Sequence, residues 1–267
     1  MSLTQDKSLI AVARENRAIE IWKTNSFTQL VSIPGHKNVD IRNVHWLEHE
    51  AVLKSNRNEE TNILYYPRVK NGKALTEKRR LITSGLNGMV IEWDLQTVKP
   101  IAKLNCHCAI WSSVMVGKYM YIGCEDGSIR VLKIKKSKIE LVKMLVKSSA
   151  SCLSLAPVIA APKVQAEKIV KEGSSSDDEM ETEANYGPVN HLFAGYADGT
   201  IKMWEISTGN CQLHIEKQTQ KEKTKDGACM IWQIVLFKNY LISGDSKGEL
   251  CVWDSKFGTM IKQFSQL

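Results

Sequence analysis

One short phrase occurs five times in this chain, and its internal spacing does not vary, which marks a repeat architecture before any other property is weighed. The copies are LIAVARENRAIEIWK from Leu9, LITSGLNGMVIEWDL from Leu81, MYIGCEDGSIRVLKI from Met120, LFAGYADGTIKMWEI from Leu192 and LISGDSKGELCVWDS from Leu241. Each reads as strand, tight turn, strand. Four turns end in glycine, at Gly88, Gly127, Gly199 and Gly248, and glycine supplies the positive φ that such a hairpin needs. The first copy has Asn16-Arg17 instead, and asparagine tolerates the left-handed region better than most residues.

Five positions beyond each turn glycine stands a large apolar side chain, Trp93, Leu132, Trp204 or Trp253, with Trp22 at the same offset from Arg17. Between turn and indole the pattern alternates, Ile201 and Met203 against Lys202 and Trp204, so each sheet has two distinct faces and both carry apolar surface. Stacked blades cover such a sheet on both sides. This makes core packing a better use of the tryptophans than base stacking.

Further apolar strands precede four of the hairpins (IRNVHW, AIWSSVMV, SCLSLAP, MIWQIVLF), and segments such as KPIAKLN and TMIKQF follow. Four short antiparallel strands per unit, ending near Trp93-Asp94 and Trp253-Asp254, match the WD repeat, and Pro34-Gly35-His36 adds its Gly-His. The expected fold is all-β: a partial WD-repeat β-propeller over 1–267 with about five four-stranded blades. Charged, lysine-rich insertions at 50–80 and 217–228, and an acidic one at 158–190 expected to be disordered, are loops. The first hairpin begins so near residue 1 that no room is expected for the strand that should precede it. An incomplete ring exposes strand edges, so either a longer protein or a partner chain is expected to supply the rest.

The composition bounds partners and compartment. Lys and Arg number 36 against 29 Asp and Glu, a formal charge of +7, which favours acidic partners such as nucleic acid. The seven cysteines, Cys106, Cys108, Cys124, Cys152, Cys211, Cys229 and Cys251, mostly lie in apolar runs, as reduced thiols of an intracellular protein do. The first residues meet charge at Asp6, Lys7 and Arg14, and lack the apolar stretch of a secretory signal or membrane span.

With the repeats in register, the chain resembles the N-terminal propeller portion of the cirhin family. The residues that carry the likeness are Ser32 to His36, Ser84 to Gln96, Ile110-Trp111-Ser112 ahead of Gly123 to Ser128, and Cys229 to Trp232 leading to Asp254-Ser255 and Gly258-Thr259. The resemblance implies a nucleolar, non-enzymatic role in the small-subunit processome. It implies pre-ribosomal RNA processing and, in some systems, pre-ribosomal RNA transcription. The implied partners are WD-repeat proteins of an early-loading subcomplex, the pre-ribosomal RNA spacer and small nucleolar ribonucleoprotein. A second expectation, from the fold alone, is a general protein-interaction adaptor of ubiquitin-ligase or signalling type without RNA contact.

No catalytic, cofactor or metal residues are expected. His45-Trp46-Leu47-Glu48-His49 fits a zinc-peptidase pattern, but on a strand the two histidines stand about 13 Å apart by rise per residue, too far for one zinc with bonds of about 2 Å. Cys106-His107-Cys108 lacks a second ligand pair at suitable spacing. Phosphate-loop, nucleophile-elbow and dinucleotide motifs are missing from the sequence. Neither a small-molecule substrate nor a membrane is implied.

The candidate RNA-contacting residues are Lys70, Lys73, Lys78, Arg79, Arg80, Lys135, Lys136 and Lys138, in clusters that include Lys133, with Lys217, Lys221, Lys223 and Lys225 further on. Cations on loops neutralise phosphates and make affinity fall with salt; a solvated face is the plainer reading. Ser174, Ser175 and Ser176 stand three residues before acids, so phosphorylation there would add negative charge able to compete with RNA for the basic loops.

Overall fold

The computed structural model describes residues 1–35, 37, 40–48, 79–159, 189–216 and 229–265. They form five four-stranded antiparallel sheets in chain order, and among the described residues there is no helix. Sheet A comprises β1 (Ser2–Leu3), β2 (Leu9–Ala13), β3 (Ile19–Lys23) and β4 (Gln29–Ile33); sheet B comprises β5 (Asn43–Glu48), β6 (Arg79–Ser84), β7 (Met89–Asp94) and β8 (Lys99–Asn105). Sheet C follows with β9 (Ile110–Val116), β10 (Tyr119–Cys124), β11 (Ser128–Lys135) and β12 (Lys138–Lys147). Sheet D has β13 (Cys152–Ile159), β14 (Val189–Tyr196), β15 (Thr200–Glu205) and β16 (Cys211–Glu216), and sheet E has β17 (Ile231–Phe237), β18 (Tyr240–Asp245), β19 (Leu250–Asp254) and β20 (Met260–Phe264).

The strand expected to be missing from the first blade is present. Two residues suffice: β1 pairs with β2 through Ser2 opposite Ala11 and Leu3 opposite Ile10, and Trp46 of β5 donates its indole N–H to Ser2 O at 3.1 Å. The insertions are also narrower than expected. Arg79 and Arg80 belong to β6, Val158 and Ile159 to β13, and Val189 and Asn190 to β14, because partners on the neighbouring strand extend the ladders into them.

The hairpin turns follow from local backbone chemistry. Gly88, Gly127 and Gly248 have φ of 76° and Gly199 of 85°. In the first copy Arg17, rather than the asparagine, takes the left-handed conformation, with φ of 68°. Asn16 acts beside it, its side-chain oxygen accepting from Ala18 N at 3.1 Å, an Asx-type turn that offsets the strain.

The first strand of each sheet packs against the first strand of the next, β1 on β5, β5 on β9, β9 on β13 and β13 on β17, so the sheets fan about a common axis as propeller blades. Each seam is mainly apolar. Leu9, Ala11, Ile19 and Ile21 of A meet Leu81, Trp93 and Leu95 of B; Ile82 and Val90 of B meet Met120, Ile122 and Leu132 of C. Tyr119, Tyr121 and Val131 of C meet Leu192, Tyr196 and Trp204 of D, and Phe193 and Ile201 of D meet Leu241 and Trp253 of E. Full burial of one such side chain is worth about 1.5–3 kcal/mol, so the seams dominate the stability of the fan.

The invariant large residue therefore has a direction: Trp93, Leu132, Trp204 and Trp253 all face the preceding sheet. Two indoles are also anchored to a hydroxyl ten residues earlier, Trp93 Nε1 to Thr83 Oγ1 and Trp253 Nε1 to Ser243 Oγ, both at 2.9 Å. Trp204 uses Tyr196 OH and Trp22 uses Glu20. Trp22 is half-buried, with no preceding sheet among the described residues.

The opposite face of each sheet receives the next blade at a small residue. A Cβ on Gly123 would lie 2.6 Å from Cys152 Sγ, and one on Gly195 2.6 Å from Ile231 Cγ2. The equivalent Gly244 of sheet E has nothing within 4 Å. Around it Val235, Phe237, Tyr240, Leu250 and Phe264 share one exposed face. The fan is thus open at E, and the fold is an incomplete WD-repeat propeller. Gly195→Val should lower the unfolding free energy by about 1–3 kcal/mol through overpacking, whereas Gly244→Val should stay within about 0.5 kcal/mol, as read by urea denaturation; equal effects would deny that Gly244 marks an unfilled seam.

Candidate functional site

Because neighbouring strands are antiparallel, each sheet places its first-to-second and third-to-fourth connections at one end of the fan, and its central turn and its exit to the next sheet at the other. Contacts across the seams fix the blades in common orientation. At the upper end, defined by the central turns, Arg17 Nη1 donates to Lys37 O at 2.8 Å, Ile110 N to Gly85 O at 3.2 Å and Ser151 Oγ to Glu125 O at 2.8 Å. At the lower end Arg80 Nη2 donates to Lys135 O at 2.7 Å.

This parity sorts the candidate cations. Arg79, Arg80, Lys135, Lys136 and Lys138 come together at the lower end, and the insertion containing Lys70, Lys73 and Lys78 connects there through β5 and β6. Those three lysines, Ser174, Ser175, Ser176, His36, His49 and the lysines of 217–228 lie outside the described residues.

Two of the five described cations serve the seams. Arg79 Nη2 meets Asp6 Oδ2 at 2.5 Å with both side chains 13% exposed, tying sheet B to the turn between β1 and β2. Burial pushes the Asp6 carboxyl up, but hydrogen bonds from Thr4 and Ser8 and the Arg79 guanidinium outweigh it and hold the group below its usual range. Arg80 grips Glu92 through Nε and Nη2, and the Glu92 side chain is only 2% exposed. Lys135 and Lys138 are exposed and share Glu140, at 2.8 and 2.7 Å, and Lys136 is exposed on the same hairpin. Lys133, in contrast, is buried and stands 6.0 Å from the centre of the Tyr119 ring.

The described residues of the zinc-like patterns have partners in the fold. His45 lies on β5, as expected, and its Nε2 is 2.8 Å from Ser113 Oγ in the B–C seam, where Ser113 also meets Ser84 Oγ at 2.9 Å. Burial depresses the His45 pKa to about 4 from 6.5. Cys108, Cys124 and Asp126 bring their ligand atoms within 4.8 Å of one another. However, the Asp126 carboxylate is already held by Ser128 N and Oγ and by Arg130 Nη2 at 3.0 Å. Burial pushes the Cys124 thiol up to about 12 and that of Cys106 to about 11. Asp126 belongs to the hydrogen-bonded turn between β10 and β11, and Cys108 packs against that turn, its Sγ accepting from Asp126 N at 3.4 Å.

A group that the sequence reading did not assemble lies at the upper end of the axis. Arg42, just ahead of β5, donates Nε to Trp111 O at 2.9 Å and lays its guanidinium 4.8 Å from the centre of the Trp111 ring. Trp111 and Trp232 approach with ring centres 6.0 Å apart and planes tilted by 56°. The available signal was the dipeptide Ile-Trp opening both β9 and β17; what placed the two indoles together was the curvature of the fan.

Fold and site together define a WD-repeat propeller segment with two chemically different ends, one cationic and one aromatic. The chain is similar to the U3 small nucleolar RNA-associated protein 4 of Schizosaccharomyces pombe, 26% identical over 263 residues, covering 96% of this chain and 29% of that protein. The Saccharomyces cerevisiae protein of the same name is 24% identical, covering 98% of this chain and 28% of its own length. The Homo sapiens homolog is 25% identical over 191 residues, 70% of this chain and 24% of that one. The chain thus spans under a third of the length of these relatives. No protein-family model matches it. Among solved structures, the computationally designed Ika8 protein superposes with a TM-score of 0.56 at 17% identity, over 98% of this chain and 60% of that one, a likeness of fold.

Arg80→Met should cost about 3–5 kcal/mol, because it strands the buried Glu92 charge; a loss below about 1 kcal/mol in denaturant titration would remove the arginine from the framework. His45 contributes through the opposite sign of ionisation. Its folded pKa lies below the unfolded one, so the unfolded chain takes up the proton first, and stability present above pH 6.5 declines as pH falls towards 4. Between pH 7 and 5 this should amount to about 2 kcal/mol, and His45→Gln should flatten that slope in pH-dependent unfolding.

Proposed function

We propose that this chain is a non-catalytic scaffold segment of early small-subunit ribosome assembly, acting in the nucleolus in pre-ribosomal RNA processing. The observation that carries the reading is similarity, over nearly the whole chain, to proteins named for association with U3 small nucleolar RNA. A propeller segment suits it physically: rigid blades offer edges and loops to several partners at once, with nothing required of the chemistry of any single side chain. The partners in this reading are other WD-repeat proteins of an early-loading subcomplex, the small nucleolar ribonucleoprotein and the pre-ribosomal spacer. Support for pre-ribosomal RNA transcription belongs to the same proposal.

RNA contact falls to the lower end, where Lys135, Lys136 and Lys138 stand exposed and the insertion with Lys70, Lys73 and Lys78 departs. Phosphorylation of Ser174, Ser175 and Ser176 would work from the same end, since their insertion connects β13 to β14. One observation favours the second reading, an adaptor without RNA: Arg79 and Arg80 are already occupied in ion pairs, which narrows the cationic surface.

Affinity purification of the tagged chain, with mass spectrometry and RNA sequencing, separates the two. The assembly reading expects early processome proteins and spacer RNA; a ligase adaptor without RNA would replace it. In a binding assay with spacer RNA, reversing Lys135, Lys136 and Lys138 to Glu should weaken affinity about tenfold or more and lower the salt slope by roughly one for each phosphate no longer neutralised. An unchanged slope would remove RNA from this surface.

A further inference from the structure

The first strands of three successive blades carry the same irregularity. In sheet C Ile110 pairs with Cys124 and Ser112 with Gly123, which leaves Trp111 as the extra residue of a β-bulge. In sheet D Leu153 is left out between Cys152 and Ser154, and in sheet E Trp232 between Ile231 and Gln233. In sheet B, Arg42 stands at the corresponding place ahead of Asn43, with its N–H on Ser84 O at 2.9 Å. A bulge re-aims the side chain it frees, and proteins place such bulges beside functional sites. Here Arg42, Trp111 and Trp232, from three of these blades, meet at the upper mouth of the axis.

Leu153 is buried. Trp232 is 38% exposed, and Arg42 is exposed. The Trp111 Nε1 atom is buried, yet no acceptor meets it among the described residues. An indole nitrogen can only donate, and a buried donor without an acceptor is uncommon enough to require a reason. The Arg42 side chain reaches Trp111 O through Nε and meets no other acceptor among the described residues. Arg42, Trp111 and Trp232 thus bring donors and aromatic rings together in one collar.

We infer that this collar binds an unpaired nucleotide of RNA, with its base on the exposed Trp232 ring, a phosphate on Arg42 and, once the Trp111 ring turns to uncover its buried Nε1, a base or sugar acceptor on that donor. An aspartate or glutamate of a peptide would satisfy the two donors but leave the indole face bare, whereas a nucleotide uses all three features. A base inside a duplex is excluded, since both its faces are already stacked. The inference rests on the RNA-binding reading above, but assigns contact to the opposite end of the fan from the lysine hairpin.

The test uses a fluorescein-labelled single-stranded uridine 12-mer, a duplex of equal length and an acidic peptide, with binding followed by anisotropy and by tryptophan emission. Wild-type chain should bind the single strand with quenched emission, and Trp232→Ala should weaken it about tenfold while Trp232→Tyr restores most of the affinity. Trp111→Phe, which keeps a ring and removes the donor, should weaken it by a smaller factor. Circular dichroism and melting temperature confirm that each variant folds. If both tryptophan variants bind as wild type while the Lys135, Lys136 and Lys138 reversal abolishes binding, the collar is not the site and the RNA reading survives. If wild type binds no single strand, both fail. If the duplex binds equally well, or only the peptide quenches emission, the nucleotide assignment is overturned.

Discussion

The burial of one sheet's face by the next is the interaction on which every other feature here depends. A lone four-stranded ribbon with apolar residues on both faces has nowhere to place half of them; five in succession solve the problem four times over. Each seam repeats one arrangement, with an indole or leucine from the third strand against the preceding sheet and a small residue on the second strand beneath the following one. The polar contacts are built on this frame. Arg79 with Asp6, and Arg80 with Glu92 and Lys135 O, sit at the edges of seams whose centres are mainly apolar.

The fold was legible because its signal is local and repeated. Turn glycine, alternation and the residue five positions on are all set by backbone sterics within one hairpin, and each copy reports the same geometry independently. What could not be read lies where tertiary pairing overrides local pattern. Ser2–Leu3 has no strand signature of its own and becomes one because β2 and Trp46 offer partners. Arg79 and Arg80 look like the tail of a basic loop, yet they extend a ladder and their charges are neutralised by acids 73 and 12 residues away in sequence.

The candidate sites divide along the same line. Exposed lysines on the Lys135–Lys138 hairpin were recognisable from composition, since a turn between long strands must face solvent. The buried Lys133, inside β11, was not, because alternation alone does not say which face a cation will snorkel along. The aromatic collar was least visible of all. Its members are scattered from residue 42 to 232 and joined only by occupying one bulge position around a shared axis, a relation that belongs to the curvature of the array.

The antiparallel order within each blade has a consequence for how such a chain can change over generations. Connections of even and odd rank open on opposite ends, so the long segments between β5 and β6 and between β13 and β14 are rooted on the lysine side, away from the tryptophans, whereas that between β16 and β17 is rooted beside them. Lengthening either of the first two leaves the aromatic ring of residues untouched. Length changes in the first two segments can therefore reshape one end of the disc without disturbing the other, much as the two surfaces of a coin can be struck from different dies.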